Sequence, residues 1–189
     1  HIFEEKDGIT TVIDQIDYKV PFGFLGEIVD KVLGGRLVKQ RIDRMFKARE
    51  IRLQRDLQAH EKYRSIPRKK ILIAGSSGLI GTQMVAFLDT GGHDVYRLVR
   101  RKVENDFEIE WDPDNGVINA KEIEGFDAVI HLGGEGIGDK RWSKKRKEKI
   151  LTSRTGSTAL LAKTLSQIDD PPEVFMVASA VGYLSLIHI

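Results

Sequence analysis

Three glycines spaced three residues apart, Gly75, Gly78 and Gly81, follow directly on the apolar run Lys70-Ile71-Leu72-Ile73-Ala74. Glycines in that setting suit a phosphate group held by main chain. Gly75 permits a tight turn out of a strand, Gly78 leaves room for a pyrophosphate to approach the backbone, and Gly81 lets the next helix lie close to the sheet. The start of that helix adds unpaired N–H groups and about half a positive charge. Gly75, Ser76, Ser77, Gly78, Leu79, Ile80 and Gly81 are therefore the candidate residues for the pyrophosphate of a dinucleotide. The competing reading is a turn with a purely structural purpose.

Further along, Leu98-Val99-Arg100-Arg101-Lys102 closes a second apolar run. An NAD site would place an acidic residue at such a strand end to receive the ribose hydroxyls. A guanidinium pairs instead with a 2′-phosphate. Arg100 and Arg101 thus favour NADP over NAD, the alternative being two surface arginines.

Other residues invite chemistry less directly. His131 lies inside the apolar run Phe126 to Leu132, where a hydrogen-bonded structural histidine is the expected reading rather than a catalytic one. Residues 140–149 carry seven basic side chains and one acid around Trp142. That could contact nucleic acid, but a solvated helix face running on through Ile150, Leu151, Leu160, Leu161 and Leu165 is preferred. Between Lys31 and Lys70, 14 Lys and Arg stand against four Asp and Glu. A solvated face whose Arg stems cover apolar surface is preferred there over an anionic membrane or nucleic-acid partner. The chain has no cysteine, which excludes disulfides and thiolate chemistry, and no metal site is expected.

These groups need elements to position them. Lys70 to Ala74, continuously apolar, reads as a parallel strand buried on both faces. An amphipathic helix with Ile80, Met84, Val85 and Leu88 inward should follow and stop at Gly91-Gly92, with a strand over Asp94 to Val99 beyond it. This is a βαβ unit with a glycine-rich first turn. Phe126 to Leu132 is a further buried strand, and Glu173 to Ala178 another after Pro171-Pro172. Ahead of all this, Ile9 to Val20 alternates apolar and polar and reads as one long half-buried strand. From Phe24 the apolar period becomes helical, with a break at Gly34-Gly35. Pro67 ends that helix and sets a domain boundary between residues 1–66 and 67–189.

Composition bounds the rest. A chain of 189 residues with 41% hydrophobic and 31% charged residues can bury a core. Thirty basic against 28 acidic residues are too balanced for a dedicated nucleic-acid binder. No apolar run reaches the ~18 residues of a membrane span and no leader pattern opens the chain, so the cytoplasm is the expected compartment. The start at His1 within a strand and the apolar ending at Ile189 make the chain read as a fragment.

The G-x-x-G-x-x-G spacing resembles that of the extended and atypical short-chain dehydrogenase/reductases, the NAD-dependent epimerase/dehydratase family. The ordered series Trp111-Asp112-Pro113, Gly133-Gly134-Glu135, Arg141-Trp142, Ser153-Arg154 with Thr158, and Ser179 to Tyr183 is similar to an atypical "epimerase family" subgroup of that family. The resemblance covers Lys69 to Tyr183 and implies an α/β fold, a truncated Rossmann-type doubly wound parallel sheet. It implies that Leu132, Gly133 and Gly134 run along the ribose side of the cofactor, and that an NAD(P)-dependent epimerase or reductase acts on an unknown small-molecule substrate.

Active relatives use a Ser or Thr and a Tyr-x-x-x-Lys pair. Ser179 is the nearest candidate for the catalytic hydroxyl, although the usual serine position falls on Ala180, and none of Tyr18, Tyr63, Tyr96 and Tyr183 has Lys four positions on. A non-catalytic NADP(H)-binding sensor or scaffold is therefore the alternative, and the fragment alone is expected to be inactive. Relatives read Gly-Tyr-Tyr-Gly where this chain has Gly182-Tyr183-Leu184-Ser185, so residues 184–189 are expected to be a non-native junction. Ile16 to Gly26, followed by a basic helix, resembles the C-terminal end of a START-like (polyketide cyclase, SRPBCC, helix-grip) domain. That resemblance implies a long helix roofing a cavity for an apolar ligand.

Overall fold

The computed structural model describes residues 2–16, 36–138 and 140–179. The chain divides into two compact units, His1–Gln58 and Ala59–Ile189.

In the first unit, β1 (Ile2–Lys6) and β2 (Ile9–Ile13) form an antiparallel hairpin with Lys6 opposite Ile9. Asp7 and Gly8 turn it with φ of 53° and 76°. Two consecutive positive φ values match the right-handed twist of the flanking strands, which is why Asp-Gly serves there. The expected single strand over Ile9–Val20 is thus shorter within the described residues, since it ends at Ile13, and every hairpin residue is exposed. A two-stranded ribbon has one hydrogen-bonded partner per strand, and among the described residues no layer covers either face, so alternation alone buries nothing. Helix α1 (Arg36–Lys62) follows, and Arg49 Nη1 reaches Asp14 Oδ2 at 2.5 Å within this unit. The expected break at Gly34-Gly35 and most of the START-like signature lie outside the described residues.

The second unit is built on a six-stranded sheet in the order β6-β5-β4-β3-β7-β8. Its strands are β3 (Lys70–Ala74), β4 (Asp94–Val99), β5 (Glu108–Asp112), β6 (Val117–Ile118), β7 (Ala128–His131) and β8 (Val174–Val177). All neighbouring pairs are parallel except β5 with β6. Helix α2 (Leu79–Thr90) crosses from β3 to β4, and α3 (Lys144–Leu165) lies between β7 and β8. The architecture is a Rossmann-type doubly wound α/β sheet.

The pleat of β3 explains its unbroken apolar run. Leu72 and Ala74 join one core with Leu98, Ile109, Trp111, Ile123, Phe126, Val129, Leu161 and Leu165. Ile71 and Ile73 face the opposite side and pack with Val85, Val95 and Ile130. Successive residues point to opposite faces, and both faces are covered, so each must be apolar. Fully burying one such side chain is worth about 1.5–3 kcal/mol.

Two expectations need correction. Ile80 is not inward but 63% exposed. The helix packs through Gly81, Val85 and Leu88, a stripe at i, i+4 and i+7, and position 80 falls off that stripe. Strand β5 was not among the expected elements. It pairs with β4 through a short loop rather than a helix, and the alternation in Phe107-Glu108-Ile109-Glu110-Trp111 was its sequence signal.

Among the described residues no helix is long and apolar enough to cross a membrane, and no His, Asp and Glu cluster could hold a metal.

Candidate functional site

On one side of β3 the chain proceeds to β4 and β5, and on the other it crosses to β7 and β8. At this reversal, beyond the C-terminal ends of the strands, doubly wound sheets open a crevice. A cleft of about 890 Å³ opens here, lined by Gly75 to Gly78, by Leu98 to Arg101 and by His131 to Glu135, with Trp111 and Ser157 among the others. That volume is in the range of small-molecule and cofactor sites.

The three glycines of the turn do different work. Gly75 has φ of +81°, and a Cβ there would stand 2.6 Å from the Gly133 nitrogen. It therefore turns the chain and also lets β3 and the segment after β7 close on each other. A Cβ on Gly81 would come within 2.2 Å of the Gly75 oxygen and 2.7 Å of the Ser76 Cα. Gly81 thus seats the helix on the turn itself, rather than on the sheet as expected. Gly78 differs from both. A Cβ there would touch only the Gly75 oxygen, at 3.4 Å. Nothing else in the described fold stands against a side chain at 78, and Gly78 lines the cleft.

Gly78 is also the N-cap of α2, with extended backbone and no side-chain capping bond. Its oxygen accepts from the Thr82 amide at 2.9 Å and the Thr82 hydroxyl at 3.0 Å. The first-turn amides of Ile80 and Gly81 consequently lack the acceptor that a Ser, Thr or Asp cap would supply. Leu79 is 89% exposed. Leu79, Ile80 and Gly81 are absent from the cleft lining, and Gly81 seats the helix on the turn.

The two arginines are not equivalent. Arg100 is exposed and lines the cleft. Arg101 lines it too, but its fork is engaged: Nη1 and Nη2 donate to the two Glu108 carboxylate oxygens at 2.9 and 2.7 Å. Glu108, with its side chain 2% exposed, also accepts from the Glu104 amide at 3.0 Å. The Arg101 guanidinium, and then that amide, hold its carboxyl below the usual carboxylate range against the opposing effect of burial.

On the far side, His131 is buried at the end of β7, with Nε2 2.8 Å from the Ser157 hydroxyl. Ser157 spends its one proton on the Ser153 carbonyl, 2.6 Å away. It must therefore accept from His131, which assigns the Nε2–H tautomer. Burial pushes the imidazole below its ordinary pKa, so the ring is neutral. The ring stands edge-on to Trp111, with centroids 6.0 Å apart. Of the two readings of His131, its hydrogen bond to Ser157 within the core fits the structural one.

Residues 71–183, more than half of the chain, match the NAD dependent epimerase/dehydratase family. The chain belongs to this family. An epimerase family protein of Mycobacterium leprae is 38% identical over 113 residues, which are 60% of this chain and 36% of that protein. The crystal structure of human epimerase family protein SDR39U1 with NADPH is 30% identical, has a TM-score of 0.51 and covers 60% of this chain and 37% of its own. A nucleoside-diphosphate sugar epimerase structure from Corynebacterium glutamicum is also 30% identical, with a TM-score of 0.61, over 75% of this chain and 29% of its own. The chain thus spans well under half the length of the relatives it matches.

The segment after β7 in this epimerase-family chain is held from α3. Leu132 donates its amide to the Ala74 oxygen at 2.8 Å. Gly134 leaves room for Arg154, whose guanidinium carbon would lie 2.9 Å from a Cβ at that position. Arg154 donates to the Glu135 and Ile150 carbonyls, at 3.1 and 3.0 Å, and the Glu135 amide donates to Ser153 at 2.9 Å. The Glu135 carboxylate meets Arg146, and Lys149 at 3.7 Å; the pairing with Arg146 holds its carboxyl below the usual range. Two basic side chains of the run at 140–149, Arg146 and Lys149, are therefore paired within the fold, and residues 144–149 form the start of α3 as preferred above.

Gly75 to Gly78, Arg100, Arg101 and Leu132 to Gly134 line the cleft, whereas Leu79, Ile80, Gly81 and Ser179 do not. Ser179 is exposed beyond β8. Sequence reasoning missed Glu108, Ser157 and the loop-holding role of Arg154. Glu108 was hidden because its strand was missed; Ser153-Arg154 stood out as a motif without a role.

Proposed function

We propose that the chain carries the dinucleotide-binding part of an NAD(P)-dependent epimerase or oxidoreductase of the short-chain dehydrogenase/reductase type, with NADP preferred over NAD. The observation that carries the reading is the space at Gly78, a cradle that a Cβ would fill at the mouth of a switch-point cleft. The fit extends to both ends of a dinucleotide. Gly75 to Ile80 would hold the diphosphate through main-chain N–H groups, Arg100 a 2′-phosphate, and Leu132, Gly133 and Gly134 the ribose side. The NADPH of the human relative supports the same preference. When bound, the nicotinamide supplies hydride transfer. The chain's own residues bind and orient it: His131 and Ser157 brace the floor, and Arg154 fixes the Glu135 main chain.

The substrate is an unidentified small molecule, and nucleic acid is not a partner in this reading. The absence of cysteine and of an apolar span supports a cytoplasmic protein. Residues 1–66 are proposed as the end of a START-like domain with an apolar ligand. The support is an antiparallel hairpin ahead of a long helix, together with a likeness to the Corynebacterium structure that reaches 75% of the chain. A cofactor-binding sensor is the second reading, favoured by Ser179, the candidate catalytic hydroxyl, standing outside the cleft that the turn and ribose-side residues line.

Titration of the full chain with NADPH and NADH, followed by cofactor fluorescence, tests the proposal. Saturable binding with NADPH tighter is expected, and failure of both dinucleotides to bind overturns it. Turnover of a nucleotide-sugar panel, followed as cofactor oxidation or reduction, separates enzyme from sensor.

A further inference from the structure

Arg101 and Glu108 close a fork at the rim of the cleft on the side where Arg100 stands. Arg101 has five N–H donors. Two go to Glu108, and Nη1 also donates to the Lys102 carbonyl at 2.8 Å. A second carboxylate, that of Glu104, lies 3.2 Å from Nη1. A phosphate dianion placed on Arg101 would meet two carboxylates behind one guanidinium, a group whose summed charge is −1. Arg100 presents the opposite picture. Among the described residues it forms no hydrogen bond or ion pair. The carboxylate it influences, Asp112, spends its oxygens on the Asp114 and Asn115 amides and the Asn115 side chain.

We infer that Glu108 is a specificity-determining residue: by closing the Arg101 fork it withdraws that arginine from the 2′-phosphate, leaves Arg100 to recognise it, and limits the preference for NADPH over NADH. The inference rests on the dinucleotide reading above. Sequence alone treats Arg100 and Arg101 as two equal ligands, whereas the fork makes one of them a strut. Glu108 suits the task because it is buried. A surface carboxylate would be screened and would let Arg101 swing free, but one with two guanidinium bonds and a main-chain amide bond keeps its geometry.

The test is the ratio of NADPH to NADH affinity, measured by fluorescence titration of the full chain. Glu108→Gln keeps the shape, reverses one acceptor into a donor and removes a negative charge at the rim. The ratio should rise roughly threefold to tenfold, as expected for one charge removed several ångströms from a phosphate at a solvated rim. The double variant R101M/E108Q removes the pair without changing net charge and should keep the wild-type ratio, while R100A should bring it close to one. A fall or no change in the ratio for Glu108→Gln overturns the inference. So does a double variant that loses preference as R100A does, and this comparison decides the matter if Glu108→Gln alone does not fold. Wild-type chain that binds neither dinucleotide defeats the underlying reading instead, and the two failures are thereby distinguished.

Discussion

Adding one methyl group at Gly78 and, separately, at Gly81 should produce opposite phenotypes. At Gly81 the new Cβ would sit 2.2 Å from the Gly75 oxygen and 2.7 Å from the Ser76 Cα. Both neighbours are main chain, so the helix must retreat by ~1 Å to restore contact distance. Overpacking of this kind costs about 1–3 kcal/mol, against about 1 kcal/mol recovered from replacing a helical glycine. The backbone of a tight turn relaxes poorly, so the cost wins. A net loss of ~1–2 kcal/mol lowers Tm by roughly 3–6 °C for a unit of this size.

Gly78→Ala meets only an ordinary 3.4 Å contact at φ −75°. Alanine is the poorer N-cap, but it restricts the unfolded chain. The two effects offset to within about 1 kcal/mol. The methyl group instead occupies the cleft, and NADPH affinity should fall at least tenfold, or about 1.4 kcal/mol. Thermal unfolding and fluorescence titration on the two variants separate stability from binding. A Gly78→Ala chain that binds NADPH like wild type refutes the cradle, and a Gly81→Ala chain with unchanged Tm refutes the packing account.

Other consequences are equally direct. Leu161 is fully buried on α3 against the sheet, so Leu161→Ala should cost about 2–5 kcal/mol, read as a lower urea midpoint. His131 is neutral in the fold with its pKa depressed by burial. The unfolded chain therefore takes up a proton first as pH falls through about 6.5. Stability should decline from there down to the lower folded value, by at most about 1.4 kcal/mol per pH unit. Part of that slope should vanish in His131→Gln, and a Tm series from pH 7.5 to 5 with identical slopes in both proteins would contradict the burial argument. The cofactor titration and the Glu108 series described above complete the set.

Local pattern carried a great deal of this molecule. The unbroken apolar run of β3, the glycines after it and the amphipathic period of α2 are short-range features, and they specify a βαβ unit without reference to anything distant. The same holds for the basic run at 140–149, whose helical period outweighed its charge. Legibility ended where a residue's partner lies far along the chain or in an element with a weak signal. Ile80 was assigned inward because periodicity sets a stripe but not its rotation against a neighbour. The alternation over Ile9–Val20 predicts a half-buried strand because it reports an available face, while only a packed layer makes that face buried, and Ile9–Ile13 is exposed.

Sequence by itself determined that a glycine-rich turn follows β3 and leads into a helix, because a turn is made by consecutive residues. Tertiary structure alone decided what each glycine is for. Gly75 faces Gly133, just past the end of β7, Gly81 faces the turn, and Gly78 lines the cleft. It alone decided, too, that Arg101 is bound to Glu108 while Arg100 is free of such a fork. Two adjacent arginines look alike in a string of letters. The pairing of β4 with β5 brings Glu108 to where Arg101, just past the end of β4, can reach it.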